Sequence, residues 1–346
     1  RCEAGSNAVS GTGERQLELR IVPVYLQLRT EDALPQQAAG TGSGGRLPVL
    51  DGIRGIAVLL VMVYHFWWVA TTGGPALWQR VYQNVAGLGW AGVDLFFVLS
   101  GFLITGILYD SRRSPRYFRV FYGRLTVRLF PLSSAAMAVF FVAIPFVLTP
   151  ARVPVSATMR TSMHTGGMGK AFAWSYLVNW YVGWKGWDAI PHPIQHFWSL
   201  AIEDQFYLVW PLLVLVLQLT RRRLMQVCGF LVVLAFALRG TLYAVHLPVA
   251  AYTWTLCRTD SLAVGALVAL CLRDAEDWRK LLQWAQILAL PSLGAFLLLR
   301  LVSVHGTAGP GASPMWLMGT FSTGVGAIFF GACLAMALSV SQENAV

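Results

Sequence analysis

Charged residues are scarce in this chain, and their scarcity excludes a water-soluble globular protein. Asp, Glu, Lys and Arg make up 12% of the 346 residues, whereas hydrophobic residues make up 56%. Several apolar runs reach the roughly 20 residues that a helix needs to cross a bilayer. The sequence therefore predicts an all-α polytopic membrane protein with about eight or nine transmembrane helices.

Several chemical signatures are missing as well. The five cysteines (Cys2, Cys228, Cys257, Cys271 and Cys333) are scattered and mostly lie in apolar runs, which predicts inert thiols rather than a disulfide framework. The sequence has no cluster with metal-ligand spacing, no nucleotide-binding glycine loop and no GxSxG serine motif. We therefore expect no metal cofactor. The sequence also lacks an internal repeat, which weakens the hypothesis of an inverted-repeat transporter.

Acidic residues are fewer than basic ones, and the net charge is +10. The basic residues cluster in short loops between apolar runs, so we expect membrane lipids rather than nucleic acid as partners. The loop between the second and third predicted spans carries Arg112, Arg113, Arg116, Arg119, Arg124 and Arg128. The positive-inside rule places this loop in the cytoplasm, and the N-terminus with it.

Two domains are predicted, a flexible leader over residues 1–45 and a transmembrane domain over 46–346. The leader is polar and lacks the apolar core of a signal peptide, and because residue 1 is Arg we expect the natural start to be missing. We predict apolar helices over 53–70, 85–109, 128–148, 197–219, 224–245, 249–272, 281–304 and 315–340. The stretch 171–187 is rich in Trp and Tyr but short for a span. Whether this stretch crosses the membrane stays open. The basic segments at 221–223 and 273–280 are both cytoplasmic only if it does not cross.

The first predicted span carries ionisable residues on one face. Arg54 and His65 are eleven residues apart, which at about 100° per residue places them on one stripe, about 16 Å apart. Asp51 falls on the same side. Ionisable groups in a bilayer usually face a bundle interior or a wet cavity, and are therefore functional candidates. Asp51 and Arg54 equally fit the interfacial end of a helix, whereas the place of His65 within the apolar run favours a function.

The second predicted span begins Gly92-Val93-Asp94-Leu95, with Gly101 seven residues after the acid. One interpretation is close helix packing at small residues, with Asp94 near the headgroups. The other is that Asp94 lines the cavity that holds His65.

Two arginines mark the predicted cytoplasmic start of the third span. Arg124 and Arg128 are one turn apart, and guanidinium groups bind phosphate oxygens in a bidentate manner. They are interpreted either as ligands of a phosphate-bearing donor or as simple positive-inside anchors.

A further ionisable stripe lies on the fourth predicted span. His196 and Glu203 are seven residues apart on one helix face, which Tyr207 continues. A carboxylate here is able to orient a histidine of another helix, accept a hydroxyl proton or bind a sugar hydroxyl, and rings such as Trp198 and Tyr207 are able to stack on a sugar. The alternative is an interfacial aromatic belt with the acid at headgroup level.

Arg258 and Asp260 are two residues apart and so face different directions. We predict that each pairs with another helix. A structural ion pair within the membrane is at least as well supported as a contact with substrate.

Taken in order, these segments resemble the membrane-bound acyltransferase 3 family over about residues 50–265. The matching positions are Asp51-Gly52-Ile53-Arg54-Gly55 with His65, the run from Gly92 to Phe102, Arg128-Leu129-Phe130-Pro131, the run from Phe197 to Tyr207, and Arg258-Thr259-Asp260-Ser261-Leu262. Two features depart from the family pattern. Leu125 stands where the first arginine of a pair is usual, with Arg124 as a substitute. The chain also ends without the family's tenth span, so we expect that span to be missing.

The resemblance implies an integral protein of the bacterial inner membrane that moves an acyl group from acyl-CoA, most often acetyl-CoA, to a hydroxyl of a carbohydrate or glycolipid. In this hypothesis the CoA phosphates dock near Arg54, Arg124 and Arg128. His65 acts in neutral form as general base or acyl carrier. Glu203 orients His65 or aligns the acceptor. The acceptor, the acyl length and the oligomeric state stay open.

Two other functions compete with this one. A proton-coupled transporter or flippase would use His65, Asp94 and Glu203 as a proton relay. An inactive, truncated family member would keep the fold without turnover, and the missing last span favours that interpretation. The ordered motifs and the lack of repeats favour the acyltransferase.

Overall fold

The computed structural model describes residues 48–66, 85–112, 114, 116–144, 146, 167–191, 194–216, 220–305 and 315–343. Within these residues the regular structure is helical, without strands, which confirms the predicted all-α class. The chain divides into two units, residues 1–53 and 54–346. In the first unit the structure describes only residues 48–53. The site described below lies in the second unit.

Eleven α-helices make up the described part of the chain. They are α1 (Pro48–Phe66), α2 (Ala91–Ser111), α3 (Tyr117–Ala138), α4 (Gly167–Trp174), α5 (Val178–Lys185), α6 (Phe197–Val216), α7 (Arg221–Ala244), α8 (Pro248–Thr253), α9 (Thr259–Cys271), α10 (Ala275–His305) and α11 (Met315–Glu343). A π-helical turn, Val139–Ala143, extends α3, and 3₁₀ turns cover Trp187–Ala189 and Thr255–Cys257.

Six segments of the described chain are long and apolar enough to cross a membrane. They are Pro48–His65, Ala91–Ser111, Tyr117–Ala143, Arg221–Ala244, Ala275–Val302 and Gly319–Ser341. The helix α6 has 20 residues and so is about 30 Å long, the thickness of a bilayer core. The prediction of a polytopic helical membrane protein is confirmed.

The stretch 171–187 does not form one helix. It is divided between α4 and α5, of eight residues each, and a 3₁₀ turn. Eight residues of helix rise only about 12 Å, well short of the roughly 30 Å hydrocarbon core. Neither helix is therefore long enough to cross.

The predicted continuous helix over 249–272 is wrong. The structure breaks it into α8, a 3₁₀ turn and α9, and the break falls directly before Arg258 and Asp260. A continuous helix would satisfy its own backbone groups. Here the carbonyl of Cys257 instead accepts a hydrogen bond at 2.5 Å from Nη1 of Arg239, a buried residue of α7.

The third span begins earlier than predicted. The helix α3 starts at Tyr117 rather than near residue 128, so Arg119, Arg124 and Arg128 lie on a helix and not in a loop. Tyrosine hydroxyls fix α3 against α6, because Tyr117 donates to the carbonyl of Pro211 at 3.4 Å and Tyr122 to that of Leu208 at 2.8 Å.

The two ends of the second unit differ in composition. The basic end consists of residues 110–112, 114, 116–119, 220–223 and 272–280. There, Arg273 pairs with Asp110 at 2.7 Å and Arg221 pairs with Asp274 at 3.1 Å. At the aromatic end, the rings of Trp90, Trp187, Trp198 and Tyr252 lie within 4.9–6.4 Å of one another, centroid to centroid, in successive contacts. The helices α2, α6 and α9 run from one end to the other.

The centre of the unit is the packing of α2 on α9. Gly101 of α2 lies against the carbonyl of Leu262, and Gly265 of α9 lies against the carbonyl of Val98. A Cβ atom at either glycine would overlap that backbone, so the two helices approach as closely as helices can. This bears out the close packing predicted at Gly101.

Candidate functional site

Two histidines from different helices meet at the aromatic end. His65, in the last turn of α1, and His196, just before α6, have ring centroids 6.3 Å apart in an edge-to-face arrangement. Nδ1 of His65 lies 2.8 Å from the carbonyl oxygen of Val61. A carbonyl only accepts, so Nδ1 carries the proton and Nε2 keeps a free lone pair. The sequence did not predict this backbone contact.

His65 lies in the last described turn of α1, and its side chain is exposed. The continuation of this predicted span over residues 67–70 lies outside the described residues. The described helix starts at Pro48, five residues before the predicted start at 53. Proline is favoured in the first turn of a helix because its missing N–H is not needed there.

Glu203 of α6 is buried, with 4% of its surface exposed, among polar partners of three helices. The Ser100 hydroxyl donates to Oε1 at 3.0 Å, and the Tyr207 hydroxyl donates to Oε2 at 3.5 Å. Arg54 of α1 interacts electrostatically with this carboxylate. Arg54 and Glu203, which the sequence placed on separate stripes, therefore interact through their charges, although the direct partners of the carboxyl group are Ser100 and Tyr207.

The expectation that Glu203 orients His65 is not met in the described residues. The carboxylate is held by Ser100 and Tyr207, while the imidazole is held by the Val61 carbonyl. The reason is the distance along α6. Glu203 lies about two helical turns from His196, the residue whose ring lies next to that of His65.

The interpretation that Asp94 lines a cavity with His65 is also corrected. The partners of Asp94 lie at the start of α9 rather than beside His65. Its carboxylate accepts from Nη2 of Arg258 at 2.5 Å and from the Ser261 hydroxyl at 3.1 Å. Both charged side chains are completely buried. Asp260 makes a second buried ion pair, at 2.7 Å, with Arg239 of α7. The prediction that Arg258 and Asp260 pair with other helices is therefore confirmed.

Sequence reasoning missed Arg239. It is the only charged residue in the apolar part of α7 beyond the initial Arg221–Arg223 run, and an isolated arginine within a span is a recognisable signal. Besides Asp260 and the Cys257 carbonyl, it donates from Nε to the carbonyl of Thr320 at 3.1 Å. It joins α7, α9 and α11.

Aromatic rings surround the Arg258 guanidinium. Its Cζ lies 5.0 Å from the ring centroid of Tyr252, 5.5 Å from that of Phe97 and 5.8 Å from that of Trp198. The expectation that Trp198 and Tyr207 present open faces to a sugar is not met in this structure, because both side chains are buried. Trp198 instead packs on Arg258, a cation–π contact.

A buried amide network, also missed, fixes the short helices to α6. Gln205 donates to the Asn179 side-chain oxygen and to the Tyr176 carbonyl, each at 2.8 Å, and accepts from Trp180 Nε1 at 3.1 Å and from the Thr255 hydroxyl. Tyr176 has a positive φ of 57°, an uncommon conformation for a tyrosine. Amides carry no periodic signal, so nothing in the sequence revealed this arrangement.

The remaining predicted residues are only partly described. Arg124 and Arg128 lie on α3, but their side chains are outside the described residues. Asp51 lies in the first turn of α1, within the first unit, with an exposed side chain. No group of three or more His, Cys, Asp or Glu side chains suited to a metal ion occurs among the described residues.

The structure defines a class of polytopic helical protein. Its interior contains paired charges, and an exposed histidine, whose Nδ1 contacts a backbone carbonyl, lies at one end. The chain belongs to the acyltransferase 3 family, since residues 47–343 match that family's acyltransferase domain. No solved structure gives a significant match to the chain.

Curated relatives support this assignment. YrhL of Bacillus subtilis (strain 168), which bears the name putative peptidoglycan O-acetyltransferase, is 32% identical over 235 residues, which are 65% of this chain and 33% of YrhL. The peptidoglycan O-acetyltransferase OatA of Listeria monocytogenes is 32% identical over 178 residues, 49% of this chain and 24% of OatA. The O-acetyltransferase OatA of Staphylococcus aureus (strain NCTC 8325) is 29% identical over 238 residues, 64% and 34%. The chain spans at most about a third of the length of these relatives.

Proposed function

We propose that this chain transfers an acetyl group from acetyl-CoA to a hydroxyl of a peptidoglycan sugar. Membership of the acyltransferase 3 family supports the reaction class, and the names of the relatives support acetyl as the group and peptidoglycan as the acceptor. The observation that carries the catalytic role is the contact of His65 Nδ1 with the Val61 carbonyl, because it leaves Nε2 as a base.

The proposed sidedness follows from the helix count. With α4 and α5 too short to cross, the C-terminal ends of α2, α6 and α9 and the N-terminal ends of α3, α7 and α10 fall on one side of the membrane. Arg112, Arg116, Arg221 and Arg273 lie at these ends, so the positive-inside rule makes this side cytoplasmic. His65 and His196 then lie at the extracytoplasmic end, where a peptidoglycan sugar is found.

In the proposed reaction, Nε2 of His65 accepts the proton of the acceptor hydroxyl as its oxygen attacks the thioester carbonyl. The oxygen–acyl bond forms and the C–S bond breaks, and the imidazolium returns the proton from Nε2 to the leaving thiolate, which departs as free CoA. The imidazolium formed in the first step keeps its Nδ1–H bond to the Val61 carbonyl, which stabilises the added charge. The same lone pair would serve if His65 carried the acyl group itself.

The test is incubation of membranes that contain the chain, or its His65→Ala variant, with radiolabelled acetyl-CoA. We expect label in the glycan fraction with the wild-type chain, and a fall of about 10²- to 10⁴-fold in its rate of appearance with the variant. His246→Asn is the matched control, since that histidine is exposed, lies outside the site and has a φ of 61° that asparagine tolerates. Equal incorporation by the His65→Ala chain would refute the mechanism. Trapping of acyl-protein in the wild type would favour the carrier role.

A further inference from the structure

An arginine near the end of α10 takes no part in the proposed mechanism. Arg300 lies five residues before the last residue of that helix, His305, and its neighbours along the chain are leucines. It falls within the segment Ala275–Val302, which is long and apolar enough to cross a membrane. A cation in such a segment is costly unless it has a partner or a wet surrounding, so Arg300 is a functional candidate.

The side of α10 on which Arg300 lies is the side that packs on the rest of the protein. Ser292 and Phe296 are buried, with 8% and 7% of their surface exposed, and Arg300 follows Phe296 at the same spacing of four residues. Residues four apart share one helix face. Leu298 and Leu301, on other faces, are 61% and 55% exposed, whereas Arg300 is half-buried. The arginine therefore continues the buried face rather than the exposed one.

This face of α10 meets the end of α1 and the start of α2. The ring of Phe296 lies 5.6 Å from that of the half-buried Trp90, and Arg300, one turn further on, interacts electrostatically with Tyr64 of α1. Gly89 brings the two neighbours of α10 together, since a Cβ atom there would lie only 2.9 Å from Cβ of Tyr64. The guanidinium of Arg300 thus belongs to the aromatic end.

Tyr64 connects this guanidinium to the proposed base. Its ring centroid lies 5.5 Å from that of His65 in an edge-to-face arrangement. The same tyrosine therefore neighbours both His65 and the positive charge of Arg300. A substrate whose hydroxyl reaches Nε2 of His65 then has its adjoining part within the surroundings of Arg300.

The positive charge of Arg300 is not paired with a carboxylate in the described part of the chain. The buried arginines Arg239 and Arg258 each pair with an aspartate, but the interaction of Arg300 is with the phenol of Tyr64. Asp188, in the 3₁₀ turn at the aromatic end, is exposed and makes no ion pair with Arg300. A guanidinium has five N–H donors, so Arg300 keeps donors for an added anion.

We propose that Arg300 binds a carboxylate of the acceptor and so selects acidic over neutral acceptors at the site of His65. A guanidinium matches a carboxylate through two parallel charge-assisted hydrogen bonds, and half-burial strengthens them by excluding water. Trp90 and Phe296 add aromatic surface beside the charge. This inference rests on the proposed function for the presence of the acceptor at this end. It adds a residue that determines specificity without touching the reacting atoms.

The test uses two acceptors that differ only in charge. The wild-type chain and an Arg300→Gln variant, in nanodiscs, receive acetyl-CoA and a soluble peptidoglycan fragment whose carboxylates are either free or converted to methylamides. We expect the wild-type KM for the free-acid fragment to be about tenfold or more below that for the amidated one, as charge-assisted hydrogen bonds require. Arg300→Gln should raise KM for the free-acid fragment alone, with kcat at saturation little changed.

Two further variants sharpen the comparison. Arg300→Lys keeps the charge without the planar fork, and should retain part of the preference. Lys185→Gln is the matched control, because it removes an exposed cation beside Trp184 at the same end and should leave both KM values unchanged. Turnover of the amidated fragment reports that each variant is folded, since it does not depend on the charge of Arg300.

A phosphate of a lipid headgroup is the competing anion for a cation in this position. Equal losses for the two fragments in Arg300→Gln would assign Arg300 to such a headgroup or to the fold, and would overturn the proposal, as would a wild-type chain without any preference. If the wild-type chain transfers acetyl to neither fragment, the proposed function fails, and equilibrium binding of the two fragments decides the role of Arg300. Tighter binding of the free-acid fragment that Arg300→Gln loses would still support it, whereas equal or absent binding would refute it.

Discussion

The guanidinium of Arg258 lies 2.5 Å from the carboxylate of Asp94, Nη2 to Oδ1, and both side chains are completely buried. This bond joins the first turn of α2 to the residue before α9. A charge buried without its partner is far more costly than a buried pair, because its desolvation is no longer offset.

Removal of one member of this pair should destabilise the fold strongly. We expect Asp94→Asn or Arg258→Gln to lower the free energy of unfolding by about 3–5 kcal/mol. The double variant should lose clearly less than the two single losses combined, since no isolated charge remains. Denaturant unfolding in detergent measures this, with the exposed Arg223→Gln as control. Losses that simply add would show that the two residues are not coupled.

Close packing of α2 on α9 predicts a contrast between two glycines. Gly101→Ala places a methyl group on the carbonyl of Leu262, and we expect a loss of about 1–3 kcal/mol from overpacking. Gly229→Ala on α7 meets no atom within 4 Å and should be neutral or gain up to about 1 kcal/mol from helix propensity. Thermal unfolding of both variants measures the contrast. Equal stability would mean that α2 and α9 are further apart than described.

The Gln205 network predicts a local loosening. Gln205→Leu leaves Asn179, Trp180 and Thr255 without a partner that each now has. Each lost hydrogen bond should cost about 0.5–1.5 kcal/mol, because the network is only partly buried. We expect faster hydrogen exchange over residues 167–190, which this network anchors, with little change in α9. Gln226→Leu, on an exposed position of α7, is the control. Unchanged exchange in 167–190 would show that apolar packing alone holds these helices.

The electrostatic interaction of Glu203 with Arg54 predicts coupled kinetics. Glu203→Gln keeps the shape of the side chain but removes the carboxyl group with which Arg54 interacts, and we expect kcat/KM for acetyl transfer to fall about tenfold or more. Arg54→Gln should do the same, and the double variant should be little worse than either single variant. The exposed Glu276→Gln, whose partner is Lys280, serves as control. Independent, multiplying losses would mean that the two residues act separately.

The sequence predicted well whatever depends on local pattern. Apolar runs of sufficient length located the long helices. The two-residue offset of Arg258 and Asp260 predicted that they face different helices, and their ion pairs with Asp94 and Arg239 confirm this. The sequence did not predict contacts between residues that are distant along the chain. Glu203 was expected beside His65, but the hydroxyl that holds it belongs to Ser100 on another helix.

The start of α1 illustrates a second kind of failure. Hydropathy places a span where the apolar residues are, but a proline can begin a helix before them, and here α1 starts at Pro48, five residues before the predicted start. The break before α9 was missed for the opposite reason. Residues 249–272 are apolar enough to continue as a helix. Side chains distant along the chain compensate the interruption, because Arg239 donates to the carbonyl of Cys257 and Asn179 donates to that of Thr253.

That interruption creates two helix ends inside the protein, and each end has a polarity. The 3₁₀ turn Thr255–Cys257 presents the partial negative charge of its last carbonyls, and α9 presents the partial positive charge of its first amides. Arg239 donates to the carbonyl of Cys257, and Asp260 lies in the first turn of α9, so each residue lies at the helix end of opposite polarity. The same two residues pair at 2.7 Å, so one ion pair stabilises both of the ends that the interruption creates.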